Sequence, residues 1–252
     1  MRLRHRARAT VSLTFDNLGE VTALARGQWP EDEPLGRHPS VTRALPRILA
    51  LLDDAGLRAT FFIEGLNAEL YPDALRELAA AGHEVAYHGW RHEPWAELEP
   101  ARERELLERG IAALAALGLR PAGFRPPGGE LTRASAALLR ELGFAYCSPM
   151  GEEVARRDGL VVLPFRWPLV DAFHYLARFG DLRGSREPSP PSALREAVMT
   201  ALDRGGHVTL VFHPFLTERE ERFELLREVL GRLRDDALWC APCREVAAAV
   251  RG

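Results

Sequence analysis

Residues 9–17, Ala9-Thr-Val-Ser-Leu-Thr-Phe-Asp16-Asn17, form an apolar run rich in Val, Phe and Thr that ends on a carboxylate. A run this short, closed by polar residues, reads as a buried strand. Outward from it, similar runs recur at Ala59 to Ile63, Glu84 to Tyr87, Gly123 to Phe124, Ala145 to Cys147, Leu160 to Leu163 and Val208 to Phe212. Segments of helical period lie between them: Val41 to Asp54, Pro72 to Ala80, Pro100 to Leu117, Arg133 to Leu142, Ser192 to Arg204 and Arg222 to Arg234. This alternation predicts strand-helix units around a mostly parallel sheet. Gly56, Gly82, Gly118 and Gly143 each follow a helical run, where a left-handed closing residue is needed, and Ser40 and Thr132 stand at N-cap positions. Two segments break the pattern. Leu18 to His38 is Gly/Pro/acid-rich and leaves the first strand directly, as a substrate-shaping lid would; Gly180 to Pro191 reads as a flexible crossing.

The 252 residues, 46% hydrophobic, suffice for one sizeable core, so a single domain over 1–252 is expected. The net charge of -3 is interleaved, as in Arg102 to Arg109, which argues against nucleic acid as a partner. The basic opening, Arg2 to Arg8, lacks the apolar run of a signal peptide, and no stretch reaches the roughly 18 to 20 apolar residues of a membrane span. A soluble, cytoplasmic protein is the expectation, with no membrane partner and with room for a homo-oligomer. Cys147, Cys240 and Cys243 are too few for a disulfide scaffold, and Cys240-Ala-Pro-Cys243 has no second pair to complete a thiolate zinc site.

Active sites of such sheets gather at the carboxyl ends of the strands. Asp16, His88, Arg125 and His213 each follow an apolar run there. One such residue is ordinarily a cap or turn; four on different strands are harder to dismiss. In His88-Gly-Trp-Arg-His92 the spacing would put both imidazoles on one face of a helical turn, where they can share a metal.

Thr14-Phe-Asp-Asn17, His88-Gly-Trp-Arg-His92, Arg125-Pro-Pro-Gly-Gly129 and Val211-Phe-His213 together resemble, in order and spacing, the motif series of the polysaccharide deacetylases, carbohydrate esterase family 4. Leu163-Pro-Phe-Arg-Trp-Pro-Leu-Val-Asp171, His213-Pro-Phe215 and Leu238-Trp-Cys240 look most like the branch of intracellular peptidoglycan deacetylase-like and metal-free allantoinase-like proteins. The resemblance implies a distorted (β/α) barrel of about seven parallel strands. It also implies roles: Asp16 as general base, Arg125 as the partner orienting it, His213 as general acid, and Asp171 as a supporting acid. His88 and His92 would be metal ligands. The family usually has a second Asp after the base, where this chain has Asn17, which ligates without negative charge. Three outcomes follow: Asn17 ligates, Asp16 moves onto the metal, or the site works without metal; Glu20 is a further substitute ligand. A divalent metal is favoured, zinc first, with cobalt or nickel as alternatives.

His83, His174 and His207 read as structural or surface residues, with His174 near enough to Asp171 to reach substrate, while Trp90, Trp95 and Trp167 suit either stacking or the core. The leading expectation is metal-dependent N-deacetylation of an N-acetylated sugar or related small acetamide, the partner being a small-molecule or oligosaccharide amide. Metal-free hydrolysis of a cyclic amide, imide or ureide is the alternative. A non-catalytic carbohydrate-binding descendant, with Asn17 marking a decayed site, is the third.

Overall fold

The strand β1 (Ala9–Asp16) is buried along its whole length, as a strand covered on both faces must be. Its two faces differ. Val11, Leu13 and Phe15 join the large apolar cluster packed under the helices, while Ser12, Thr14 and Asp16 alternate with them and make polar contacts on the other side. A second, smaller cluster, with Phe62, Ala86, Tyr146 and Leu163, fills the inside of the curled sheet.

The structure is a computed structural model that describes residues 7–157 and 159–251; the basic opening at 2–6 lies outside the described residues. The remaining strands are β2 (Thr60–Ile63), β3 (Glu84–Tyr87), β4 (Gly123–Phe124), β5 (Tyr146–Cys147), β6 (Ala155–Arg157), β7 (Leu160–Val162), β8 (Gly206–Phe212) and β9 (Leu238–Cys240). Their order is β6-β7-β5-β4-β3-β2-β1-β8, with β9 also on β1. All pairs are parallel except β6 with β7. This is the expected distorted barrel, with β6 and β9 added to the seven strands read from the sequence. β1 holds three neighbours by splitting one edge: Ala9 to Val11 pair with β9, Thr14 to Asp16 with β2, and β8 runs the length of the other edge. Among the described residues no continuous ladder closes the seam. A single parallel bridge, Val170 with Val211, and the Thr209 hydroxyl donating to the Pro164 carbonyl at 2.7 Å span it.

The six expected helices are present, Pro72–Ala80 with the ends expected and the other five with shifted ends. Thr132 caps as expected, its Oγ1 accepting from Ser135 N at 3.2 Å. Ser40 does not: its Oγ accepts from Gly19 N at 3.0 Å and meets His38 Nδ1 at 2.8 Å, tying down the Leu18 to His38 segment instead. That segment contains a short helix, Val21–Ala25, and the supposed crossing after Gly180 begins as the helix Gly180–Arg183. The sequence reading also lacked the helix Cys243–Arg251, which plugs the floor of the barrel. Its first turn is received by Glu84, whose Oε2 accepts from Arg244 N at 2.8 Å, while Thr60 Oγ1 accepts from Cys243 N at 2.8 Å. Among the described residues no helix is long and apolar enough to cross a membrane.

Inside the barrel, Tyr146 reaches over β4 to donate to Glu84 Oε1 at 3.0 Å, and Gly123 leaves it room: a Cβ there would stand 1.9 Å from the tyrosine ring. Gly123→Ala should therefore cost about 1–3 kcal/mol in urea unfolding. Gly231→Ala, in a helix with nothing within 4 Å, should gain about 0.5–1 kcal/mol. Equal effects would contradict this packing.

Candidate active site

Asp16 is the last residue of β1 and Arg125 the first after β4, and the two meet inside the barrel. Arg125 Nη1 donates to Asp16 Oδ1 at 2.6 Å and to Thr14 Oγ1 at 2.9 Å. Its Nη2 donates to Ser148 Oγ at 2.9 Å, and its guanidinium lies 4.0 Å over the Phe62 ring. Nε also faces Ser148 Oγ, at 3.3 Å, and the carboxylate is held with Oδ2 turned toward His88, 4.0 Å from Nε2.

His88 Nδ1 lies 2.8 Å from the Arg125 carbonyl oxygen. A carbonyl can only accept, so Nδ1 carries the hydrogen and Nε2 is left with its lone pair. Burial, with Arg125 and His213 adding positive charge nearby, pushes His88 down to about 3. Burial and the neighbouring His88 and Arg26 hold His92 well below its ordinary value. Both rings are therefore neutral at pH 7. They lie 5.1 Å apart between centroids, but not on a helical turn. The segment is a bend in which Gly89 and His92 have φ of 76° and 62°, and this left-handed backbone folds His92 back toward His88.

Asn17 also has a left-handed backbone, φ 61°, one that asparagine tolerates better than most residues. Its Nδ2 donates to Thr22 Oγ1 at 2.8 Å, and the Thr22 hydroxyl passes on to Glu64 Oε1 at 3.3 Å. This leaves Asn17 Oδ1 buried without a hydrogen-bond partner among the described residues. Asp16, Asn17, His88, His92, Arg125 and His213 all line one cavity of about 230 Å³. Among the described residues no three His, Cys, Asp or Glu side chains gather as a metal site, so Asp16 does not complete one with the two imidazoles, and the donor that would stand beside them is this amide oxygen. A neutral set of two nitrogens and one oxygen suits zinc or cobalt, with little charge to hold it. Glu20 is not available: it is buried at the base of the loop, accepting from Gly36 N at 2.6 Å and from the Tyr71 hydroxyl.

His213 follows β8. Its Nδ1 meets Asp171 Oδ1 at 2.5 Å and its backbone N–H donates to Asp171 Oδ2 at 2.7 Å. The carboxylate accepts, so Nδ1 bears the hydrogen, and Nε2 is the nitrogen free for substrate. Asp171 itself, 1% exposed, stands behind His213 and does not line the cavity. His174 turns away, its Nε2 on the Pro168 carbonyl at 3.0 Å. His83 receives the Ala59 N–H and His207 contacts Ser12, both structural roles. Of the tryptophans only Trp167 reaches the cavity, beside Phe165 and Phe179; Trp90 is buried with Arg109 stacked on it, and Trp95 sits in the core. The three cysteines are free, and burial raises Cys240 to about 12 and Cys243 to about 11, unlike reactive thiols.

Three residues of the cavity region were absent from the sequence reading. Glu64 follows β2 as Asp16 follows β1, and the strand-end rule could have found it. Arg26 and Arg178 come from irregular segments, where no period marks them.

The family model for polysaccharide deacetylases matches residues 4–147. A peptidoglycan deacetylase-like protein of Gibberella zeae is 34% identical over 103 residues, which are 40% of this chain and 30% of that protein. The matched part thus spans about a third of that relative's length. A crystal structure of a polysaccharide deacetylase candidate from Mycobacterium smegmatis aligns at 32% identity and TM-score 0.84, over 99% of this chain and 92% of that one. An allantoinase structure aligns at 20% identity and TM-score 0.79, over 98% and 92%, a likeness of fold.

Burial is the main cause that raises Glu64 to about 8, with the charge of Asp16 acting in the same direction. An acid whose native pKa lies above its unfolded value of about 4.5 binds its proton more tightly when folded. No stability is lost below about pH 4.5, the loss grows as pH rises toward 8, and it is complete above. Glu64→Gln should remove that decline, so the variant's advantage in urea unfolding should widen between pH 5 and pH 8, by up to roughly 3–4 kcal/mol. A difference independent of pH would show that Glu64 stays ionised.

Proposed function

The chain belongs to the polysaccharide deacetylase family, and from that premise we propose that it hydrolyses a carbon-nitrogen bond other than a peptide bond, removing acetyl from an N-acetylated sugar or a related small acetamide. The observation that carries this is the convergence of two separately oriented groups on one cavity: Asp16, aimed by Arg125, and His213, aimed by Asp171.

Asp16 takes a proton from water as its oxygen adds to the amide carbonyl carbon. His213 Nε2–H delivers a proton to the leaving nitrogen as the C–N bond breaks, so that an amine and acetate depart and no amide anion forms. The negative charge of Asp171 balances the imidazolium that this requires. Arg125 positions Asp16 and does not reach substrate in this scheme. A divalent ion, zinc in the first instance, with cobalt or nickel as alternatives, would be held by Asn17 Oδ1, His88 and His92, and would supply polarisation of the carbonyl and acidification of the water.

A second reading, metal-free hydrolysis of a cyclic amide, imide or ureide, is favoured by the missing charge at Asn17. A non-catalytic descendant is disfavoured, because both oriented pairs are intact. The cavity is smaller than the roughly 300–1,000 Å³ of drug-sized ligand sites, which suits one ring at a time. Free, largely buried thiols fit a reducing compartment, so a cytoplasmic location, acting as one catalytic domain over 1–252, belongs to this reading.

Acetate release from a panel of N-acetylated sugars tests it. Asp16→Asn and His213→Gln should each lower kcat about 10²–10⁴-fold, and Asp171→Asn about 10–100-fold; activity surviving both of the first two substitutions would end the proposal. Asn17→Asp should tighten zinc at least about tenfold in competition with a chromogenic chelator, because it restores an anionic ligand. Unchanged zinc affinity would remove Asn17 from the ligand set.

A further inference from the structure

Two guanidinium groups border the cavity without a part in that chemistry. Arg26 follows the short helix Val21–Ala25, and Arg178 lies in the turn Ala177–Phe179. Both line the same cavity as Asp16 and His213. Among the described residues neither has a carboxylate within 4.0 Å, whereas Arg125 below them is matched by Asp16. The lining thus sets one carboxylate against three guanidinium groups and the neutral imidazoles of His88 and His92, with His213 matched from behind by Asp171, leaving the two positive charges of Arg26 and Arg178 uncompensated. The two groups are close enough to act on each other. Although exposed, Arg178 is pushed down to about 10 by partial desolvation against the cavity wall and by the charge of Arg26, with the charge of Asp171 acting the other way. The adjoining hollow of about 600 Å³ shares Arg26 and His92 and adds Arg91 and Arg102 against the one carboxylate of Glu93, so a surplus of positive charge extends outward from the mouth.

Guanidinium pairs left open at a cavity suit a planar or tetrahedral oxyanion, which they can hold through charge-assisted hydrogen bonds. The aromatic side chains of Phe165, Trp167 and Phe179 face the same space and would cover the flat side of a ring. We propose that Arg26 and Arg178 form an oxyanion-binding subsite at the cavity mouth, which makes the substrate an anionic acetamide, a small molecule bearing carboxylate or phosphate, in place of a neutral polymer. The substrate class rests on the deacetylase reading; the subsite itself does not. An anion bound there would also offset the charge that Asn17 fails to supply.

Calorimetric titration of the full chain at low salt with glucose, glucuronate and glucose 6-phosphate tests the subsite without turnover. At least one anionic sugar should bind about tenfold or more tightly than glucose, with the preference weakening as salt is raised. The stronger of the two identifies carboxylate or phosphate as the preferred group. In the Arg26→Gln/Arg178→Gln double variant the ratio of anionic to neutral affinity should fall toward one, while Arg76→Gln/Arg227→Gln, which removes an equal charge at surface pairs with Asp73 and Glu224, should leave it intact. Anionic sugars that bind no better than glucose, or a preference that survives the double variant, would overturn the subsite. Acetate release from N-acetylglucosamine and its 6-phosphate separates the two ideas. Anion preference in binding with no hydrolysis of either compound retains the subsite and removes the deacetylase reading. Hydrolysis of the neutral sugar, with no anion preference in binding, does the reverse.

Discussion

The interior ion pair of Arg125 and Asp16 is the contact on which the upper half of the barrel depends. Arg125 is 1% exposed, so its charge is tolerated only because a carboxylate, two hydroxyls and an aromatic face replace the water it gave up. Those partners come from three separate stretches of chain, at β1, β2 and just past β5. Removing one member of such a pair strands the other, at a cost on the order of 3–5 kcal/mol. Stability and catalytic geometry are therefore set by the same contact, and the orientation of Asp16 is fixed before any substrate arrives.

Around that pair the polar residues follow a simple periodicity. Along β1 every second residue from Ser12 turns inward, ending on Asp16, and the same rule at β2 ends on Glu64 and at β3 on His88. Asp16, His88, Arg125 and His213 are legible in the sequence because each directly follows an apolar run, at the carboxyl end of a strand. The strands β6 and β9 are not. Ala155-Arg-Arg157 has almost no apolar content, and Leu238-Trp-Cys240 is only three residues long, so each gains its identity from the neighbour it pairs with. Spacing suggested that His88 and His92 belong together, but for the wrong reason. A left-handed bend brings them close where a helical turn was expected, and a four-residue interval cannot distinguish the two. Arg26 and Arg178 had no signature, because irregular chain carries no period.

The Asn17 amide is the chemically unusual point of the site. The Thr22 and Glu64 relay consumes its nitrogen and leaves its oxygen buried and unmatched, an arrangement that costs free energy unless something accepts that lone pair. Two neutral imidazoles and an amide create a region poor in negative charge, bordered by further cations. The electrostatics therefore invite anions and bind cations only weakly, a balance opposite to that of a site lined by carboxylates.

The position of β1 has a consequence for how the chain acquires its shape. This strand lies at residues 9 to 16, yet β8 and β9, which flank it, are contributed by residues 206 to 212 and 238 to 240. The edge facing β8 and the Ala9 to Val11 end of the other edge stay open until those residues arrive, only Thr14 to Asp16 pairing early with β2, and contacts this distant in sequence form slowly. The inward row of Ser12, Thr14 and Asp16, besides building the pocket, gives the nascent strand one wettable side.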